Sequence, residues 1–245
     1  MECLGETMQE RVDAVLARIA AACRRAGRAR DAVRLVAVAK TYGPEAVAEA
    51  ARCGLDSMGE SRIQEARQKI PLCPSGLSWH MIGHLQRNKV REAVRLFDRF
   101  HAIDSLALLE RLEAMADEAG RRVAACLEVN VSGESAKYGL APEAVPAVLE
   151  AAAGLRRVEV TGLMTIPPFH PEPEAARPYF RRLRELRDTW AAGSGLALED
   201  LSMGMSGDFE VAIEEGATWV RVGSALFGPR APRRRPGPEE GESCV

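Results

Sequence analysis

The run LVAVAK, residues 35–40, ends five apolar residues on a lysine. A lysine closing a buried strand either reaches water or reacts. Burial penalises the ammonium form and lowers its pKa. The neutral amine is then a nucleophile that forms a Schiff base with an aldehyde. The plainer alternative is a side chain whose stem lies on the apolar end while its ammonium stays in water. Two later stretches bear on the choice. SMGMSGDFEVAIEEG (202–216) puts Ser206 and Gly207 at the start of a helix, and RVGSALFG (221–228) supplies a small-residue turn at Gly223 and Ser224. Unpaired amides at a helix start favour an anion. Taken singly, Ser206 is an ordinary helix cap and Gly223 an ordinary turn.

An amine and an anion cradle facing one another suggest pyridoxal 5′-phosphate, which carries an aldehyde and a phosphate. Arg221, two residues before Gly223, adds a guanidinium that does not give up its proton. Beside a pyridine nitrogen it would keep that nitrogen unprotonated and weaken the ring as an electron sink. Its alternative is a barrel-mouth ion pair with an acid such as Glu60. The histidines of HMIGH, His80 and His84, lack the glutamate of a zinc helix, and Gly83 interrupts them. No metal site is expected. His80 reads equally as a mouth-lining residue and as a satisfied core histidine.

Eight strands are predicted to position these groups: 34–39, 55–59, 77–82, 99–103, 123–131, 158–164, 199–203 and 218–222. Helices are predicted between them at 44–52, 60–69, 85–95, 105–119, 142–153, 172–190 and 207–215, after an amphipathic helix over 6–26. Strand and helix alternating eight times indicate a single (β/α)8 TIM-type barrel with an extra N-terminal helix. A doubly wound open sheet is the rival, disfavoured because no GxGxxG follows the first strand. In a barrel the chemistry sits at the C-terminal strand ends, where Lys40, Ser206 and Gly223 all fall. Residues 1–228 read as the barrel domain and 229–245, rich in Pro, Arg and Glu, as a disordered tail.

Composition narrows the partners. The 245 residues carry 33 basic and 35 acidic side chains, a net charge of −2, so no global field draws nucleic acid or an anionic membrane. The six cysteines form no CxxC pair, and the charged N-terminus lacks an apolar signal segment. A cytoplasmic protein with free thiols is expected, as a monomer.

VAVAKTY, MGESRIQEA, WHMIGHLQRNK, VNVSGESAKYGL, GLMTIPP and LSMGMSGDFEVAIEEGATWVRVGSALFG together resemble the YggS-type pyridoxal phosphate homeostasis proteins, from about residue 8 to residue 228. The resemblance implies a barrel of the alanine racemase N-terminal kind and a pyridoxal phosphate Schiff base on Lys40. It further implies phosphate contacts from Ser206, Gly223 and Ser224, with Arg221 near the pyridine nitrogen. The candidate cofactor-binding set is Lys40, Ser61, His80, Met203, Ser206, Gly207, Arg221, Gly223 and Ser224. One departure stands out: that family reads FGEN after the second strand, where this chain has MGES, so Ser61 replaces an asparagine.

The function so implied is a cofactor carrier or buffer in intracellular pyridoxal phosphate homeostasis, without catalysis, serving pyridoxal phosphate-dependent apo-enzymes. The alternative is an amino-acid racemase or decarboxylase on the same barrel. The resemblance to alanine racemase implies that such enzymes complete their site with a second domain, and none is expected in the residues after the eighth strand. Two-base chemistry needs a group opposite Lys40, and Tyr138 is the loose candidate. A third reading is a barrel that binds another phosphorylated metabolite.

Overall fold

The computed structural model describes residues 6–134 and 137–228. The tail expected to be disordered over 229–245 lies outside the described residues. Strands β1 (Arg34–Val38), β2 (Ser57–Glu60), β3 (Ser78–Met81), β4 (Arg99–Ile103), β5 (Val123–Glu128), β6 (Val158–Met164), β7 (Asp200–Ser202) and β8 (Trp219–Val222) pair in parallel, each with the next. β8 pairs back onto β1, Val222 opposite Ala37, and closes the barrel. The expected (β/α)8 architecture is therefore the observed one. The strands read as near-continuous apolar runs because a parallel barrel strand is covered on both faces.

The outer layer is α2 (Pro44–Arg52), α3 (Ile63–Lys69), α4 (Val90–Leu96), α5 (Leu106–Glu118), α6 (Val145–Ala152), α7 (Arg177–Ser194) and α8 (Phe209–Glu214), with α1 (Met8–Arg25) before β1 and a short α9 (Ser224–Phe227) after β8. Proline at the first helical position starts α2, where its missing N–H costs nothing. Several predicted helices begin late. 3-10 turns occupy Arg87–Lys89, Pro142–Ala144 and Pro173–Ala176 ahead of α4, α6 and α7. β5 stops at Glu128, after which Val129 makes an isolated bridge to Leu140. α9 was not predicted, since four residues are too short to show a period.

α1 carries the buried stripe Val12, Val15, Ile19, Ala22 and Cys23, spaced for one helix face. It lies across α8 and α9. Arg18 forms a bidentate pair with Glu210 at 3.1 and 2.8 Å, and Arg11 Nε donates to the Leu226 carbonyl at 2.6 Å. The extra N-terminal helix thus braces the two segments that carry Ser206 and Gly223.

The barrel interior is unusual in its polarity. TIM-barrel interiors are mostly filled by branched aliphatic residues. Here Ala102, Cys126 and Met164 share the interior region with buried His80, His101, Ser202, Asp200 and Arg221. At the N-terminal end, Asp200 accepts hydrogen bonds from Arg99 at 2.6 Å, Thr161 at 2.7 Å and Trp219 Nε1 at 3.0 Å, and pairs with Arg34.

Candidate functional site

Lys40 follows β1 directly, on a turn pinned from two sides. The Ala39 carbonyl accepts the Tyr42 N–H at 3.1 Å and the Lys69 ammonium at 2.8 Å. Thr41 stands at φ +74°, the left-handed region that non-glycine residues seldom occupy. Strain of this kind persists where surrounding contacts over-determine it. Tyr42 then anchors the loop to α9: its hydroxyl donates to the Gly228 carbonyl at 2.7 Å and its ring stacks on Phe227 at 4.8 Å.

Lys40 lines a cavity of about 580 Å³ at the C-terminal end of the barrel, within the usual size of a small-molecule site. Arg221, Ser206, Gly207, Gly223 and Ser224 line the same cavity. The loop after β7 and the turn after β8 are latched together: Ser206 Oγ accepts the N–H of Gly223 at 3.2 Å and of Ala225 at 3.5 Å. A Cβ built on Gly207 would meet nothing within 4 Å, whereas one on Gly223 would lie 3.4 Å from the Cβ and carbonyl oxygen of Val38. The β8 turn is therefore packed on β1, and the β7 loop is open toward the cavity.

Arg221 is buried, and burial lowers its pKa, yet a guanidinium remains charged. Nη1 donates to Ser202 Oγ at 2.6 Å and Nη2 to the Thr165 carbonyl at 3.1 Å. The alternative of a mouth ion pair with Glu60 is corrected: among the described residues no carboxylate pairs with Arg221, and Glu60 pairs with Lys69. Glu60 and Lys69 are both buried, and burial raises the Glu60 carboxyl against the lowering effect of the ammonium.

Three expected contacts do not lie on this cavity. His80 points into the barrel interior, its Nδ1 2.9 Å from His101 Nε2 and its ring edge-on to Trp219. It is a core histidine, because the inward positions of β3 face the axis below the mouth. Ser61 lines a separate cleft with Arg62, Gln64 and His84. There it crowds Gly83, where a Cβ would come 2.7 Å from the Ser61 carbonyl oxygen. Met203 is fully buried beside β8, its N–H bonded to the Trp219 carbonyl. Tyr138, considered as a second base, stacks on His84 at 3.9 Å, and His84 Nδ1 meets Asp104 at 2.9 Å.

The sequence reading missed Glu128, the last residue of β5. Burial pushes its carboxyl up to about 7, against the lowering effect of Arg221. An acid ending the apolar run VAACLE is the same signal that singled out Lys40. Also missed was the rim segment after β6, where Ile166, Pro168, Phe169 and His170 border the cavity. A larger depression of about 880 Å³ opens at the opposite end of the barrel, but its buried acid, Asp200, is already matched by Arg34 and Arg99.

An amine, a guanidinium and two hydroxyls around one cavity form a donor set for a small aldehyde bearing a phosphate and a ring nitrogen. Comparison with known proteins leads to the same chemistry. Residues 11–231 match the family of the alanine racemase N-terminal domain. A pyridoxal phosphate homeostasis protein of Aquifex aeolicus is 46% identical over 90% of this chain and 97% of its own length. PipY of Synechococcus elongatus, solved with PLP bound, is 35% identical with a TM-score of 0.80, covering 91% of this chain and all of that one. Alanine racemase of Corynebacterium glutamicum, at 21% identity and a TM-score of 0.62 over 87% of this chain and 60% of that one, shares the fold.

Proposed function

The chain belongs to the family of pyridoxal phosphate homeostasis proteins, built on the alanine racemase N-terminal domain, and from that premise we propose that it binds pyridoxal 5′-phosphate and helps keep the intracellular supply of that cofactor in balance. The observation that carries the reading is the meeting of Lys40, Arg221 and the Ser206–Gly223 latch on one cavity. PipY, at 35% identity, is a relative solved with PLP bound.

Bound there, pyridoxal phosphate supplies an aldehyde carbon and an electron-withdrawing ring. The Lys40 amine holds the aldehyde carbon. Ser206 and Ser224, with Gly207 and Gly223 beside them, would hold the phosphate, the hydroxyls by charge-assisted hydrogen bonds. Arg221 would donate to the ring nitrogen and keep it unprotonated.

The protein acts as a carrier or buffer, not as a racemase or decarboxylase. Arg221 supports this: among the described residues no carboxylate pairs with it, so it would face the ring nitrogen as a full cation, and carbanions next to the ring would be poorly stabilised. Recipients are apo-enzymes that use the same cofactor, and the carrier works as a monomer. Cys23, Cys53, Cys73 and Cys126 are free thiols, as suits a reducing compartment such as the cytoplasm. No described helix is long and apolar enough to cross a membrane.

The test is a visible absorption spectrum of the purified protein with pyridoxal phosphate, then borohydride reduction and peptide mapping. The label is expected on the peptide holding Lys40. Label on Lys89 or Lys137 alone, or no visible band, overturns the reading.

A further inference from the structure

Behind Arg221 runs a buried chain of hydrogen bonds along the barrel interior. Arg221 Nη1 meets Ser202 Oγ at 2.6 Å, Ser202 Oγ meets His101 Nδ1 at 2.7 Å, His101 Nε2 meets His80 Nδ1 at 2.9 Å, and His80 Nε2 meets Ser78 Oγ at 3.1 Å. Ser202 and His101 are fully buried and His80 is 1% exposed.

The chemistry of the groups fixes the direction of this chain. A guanidinium has donors and no acceptor, so Ser202 Oγ accepts from Arg221. Ser202 has one proton, and His101 Nδ1 is its acceptor among the described residues. His101 therefore carries its own proton on Nε2 and donates it to His80 Nδ1. His80 in turn carries its proton on Nε2 and donates to Ser78. The reverse arrangement leaves the Ser202 proton buried without a partner, a cost of about 1–3 kcal/mol.

We propose that His101 is a positioning residue for Arg221: acting through Ser202, it locks the guanidinium toward the cavity, and both histidines are held as Nε2–H tautomers. Cations bound the chain at both ends, Arg221 above and Arg34 and Arg99 below. Burial above all, with these cations, holds His101 well below its usual pKa and His80 at about 3, against the raising effect of Asp200 on His80. Neutral anchors matter for the site. A carboxylate in place of Ser202 would hold Arg221 as firmly but would cancel the charge it presents to a ligand. A serine backed by a neutral histidine fixes the orientation and leaves the charge whole.

The tautomer part stands on the apo-protein alone; the ligand part rests on the reading that Arg221 faces a pyridine nitrogen. Long-range ¹H–¹⁵N spectra of ¹⁵N-histidine-labelled apo-protein should show His80 and His101 with bare Nδ1 and protonated Nε2, unchanged between pH 6 and 8. Nδ1–H tautomers, or imidazolium at pH 6, overturn the chain. The second measurement compares affinity for pyridoxal phosphate with affinity for its 1-deaza analogue, which lacks the ring nitrogen. Wild type should prefer the natural cofactor by at least about tenfold, the worth of one charge-assisted hydrogen bond. His101→Leu should shrink that preference to under about threefold. His101→Gln, which accepts from Ser202 and donates to His80, should keep most of it. Where His101→Leu fails to fold, Ser202→Ala reads the same preference. A merely structural histidine would lower the melting temperature and leave the preference intact, and that result overturns the positioning role. Wild-type protein that binds neither ligand sinks the cofactor reading and leaves the tautomer result standing.

Discussion

Lys69 Nζ donates to the carbonyl of Ala39, the residue before Lys40, at 2.8 Å, and the same ammonium neutralises the buried carboxylate of Glu60. One buried cation thus fixes the backbone that aims the cavity's amine and offsets a charge that burial penalises. Glu60 Oε1 takes the Lys69 ammonium, and among the described residues Oε2 has no hydrogen-bond partner, so Glu60 depends on Lys69.

Lys69→Met should therefore be among the most damaging single changes outside the cavity. Breaking a buried pair from one side costs about 3–5 kcal/mol, and urea denaturation should register a loss of that order. The loss should also depend on pH. Without the ammonium, the Glu60 carboxyl rises further above its unfolded value, so the folded state binds more protons than the unfolded one. Stability of Lys69→Met must then fall as pH rises above the unfolded carboxylate pKa of about 4.3. Adding Glu60→Met should recover more than half of the loss, since an apolar pair of similar volume removes the uncompensated charge. A double variant no better than the single one would show that packing, not charge, is what Lys69 supplies.

Glu128 gives a second pH signature, present in the wild type. Its folded pKa of about 7, raised by burial, lies above the ordinary carboxyl value of 4.5. The folded state thus holds a proton that the unfolded state has lost between those two values. This group's contribution is fully present below about pH 4.5 and is lost as pH rises through 7, a penalty of about 3 kcal/mol by linkage. Glu128→Gln should flatten that slope and raise the pH 8 denaturation midpoint. An unchanged slope would mean that Glu128 ionises normally.

The contrast between Lys40 and Lys69 shows what the sequence could convey. Lys40 stands out because it ends an apolar run, and the alternation of eight apolar runs with helical segments makes the barrel legible in the sequence. Lys69 sits in QEARQK, where helical spacing looks solvated, and its burial follows only from where α3 packs. The inward polar positions were equally hidden. In RFHAI, His101 reads as one polar residue in a strand, and nothing local reports that Ser202, a hundred residues on, supplies its partner. The sequence leaves His80 open between the mouth and the core, because depth along the barrel axis depends on register between strands. Ser61 and Met203 were drawn toward the cavity by neighbouring motifs, and the local backbone turns both elsewhere.

The phosphate end of the cavity separates cleanly by ligand. Ser206→Ala removes a hydroxyl that both faces the cavity and ties the two loops. It should weaken pyridoxal phosphate by about tenfold, one hydrogen bond to a charged group, and leave unphosphorylated pyridoxal nearly unchanged. Gly207→Ala has room for its methyl, so it should fold normally and show the same selectivity on a smaller scale. Gly223→Val is a different experiment. Its side chain drives into Val38, displacing the strand that carries Lys40, and should weaken both ligands alike. Titration with each ligand, read by absorbance, distinguishes these cases. Equal weakening of both ligands by Ser206→Ala would put the phosphate elsewhere.

The last expectation concerns turnover. Racemisation or decarboxylation on this cofactor needs a strong electron sink and a proton donor or acceptor opposite the amine. Arg221, held by Ser202 and Thr165 and unpaired with any carboxylate among the described residues, works against the first requirement. For the second, Tyr138 is turned onto His84, His170 and Glu172 lie on the exposed rim, where water competes for their protons, and the remaining carboxyl on the cavity, Asp208, is tied to the Met205 N–H at 2.6 Å. General acid–base help is worth about 10²–10⁴ in rate, so its loss alone takes an ordinary rate near 10 s⁻¹ well below ~1 s⁻¹. Incubating the holo-protein with each L-amino acid, and following D-isomers and carbon dioxide, should give turnover below that level. Offered as the sole cofactor source, the same holo-protein should restore activity to unrelated pyridoxal phosphate-dependent apo-enzymes, faster than free cofactor at the concentration it releases. Turnover above ~1 s⁻¹ would make the protein an enzyme. Restoration no faster than release into solution would make it a store that empties passively, and would remove any need for the carrier to dock on its recipients.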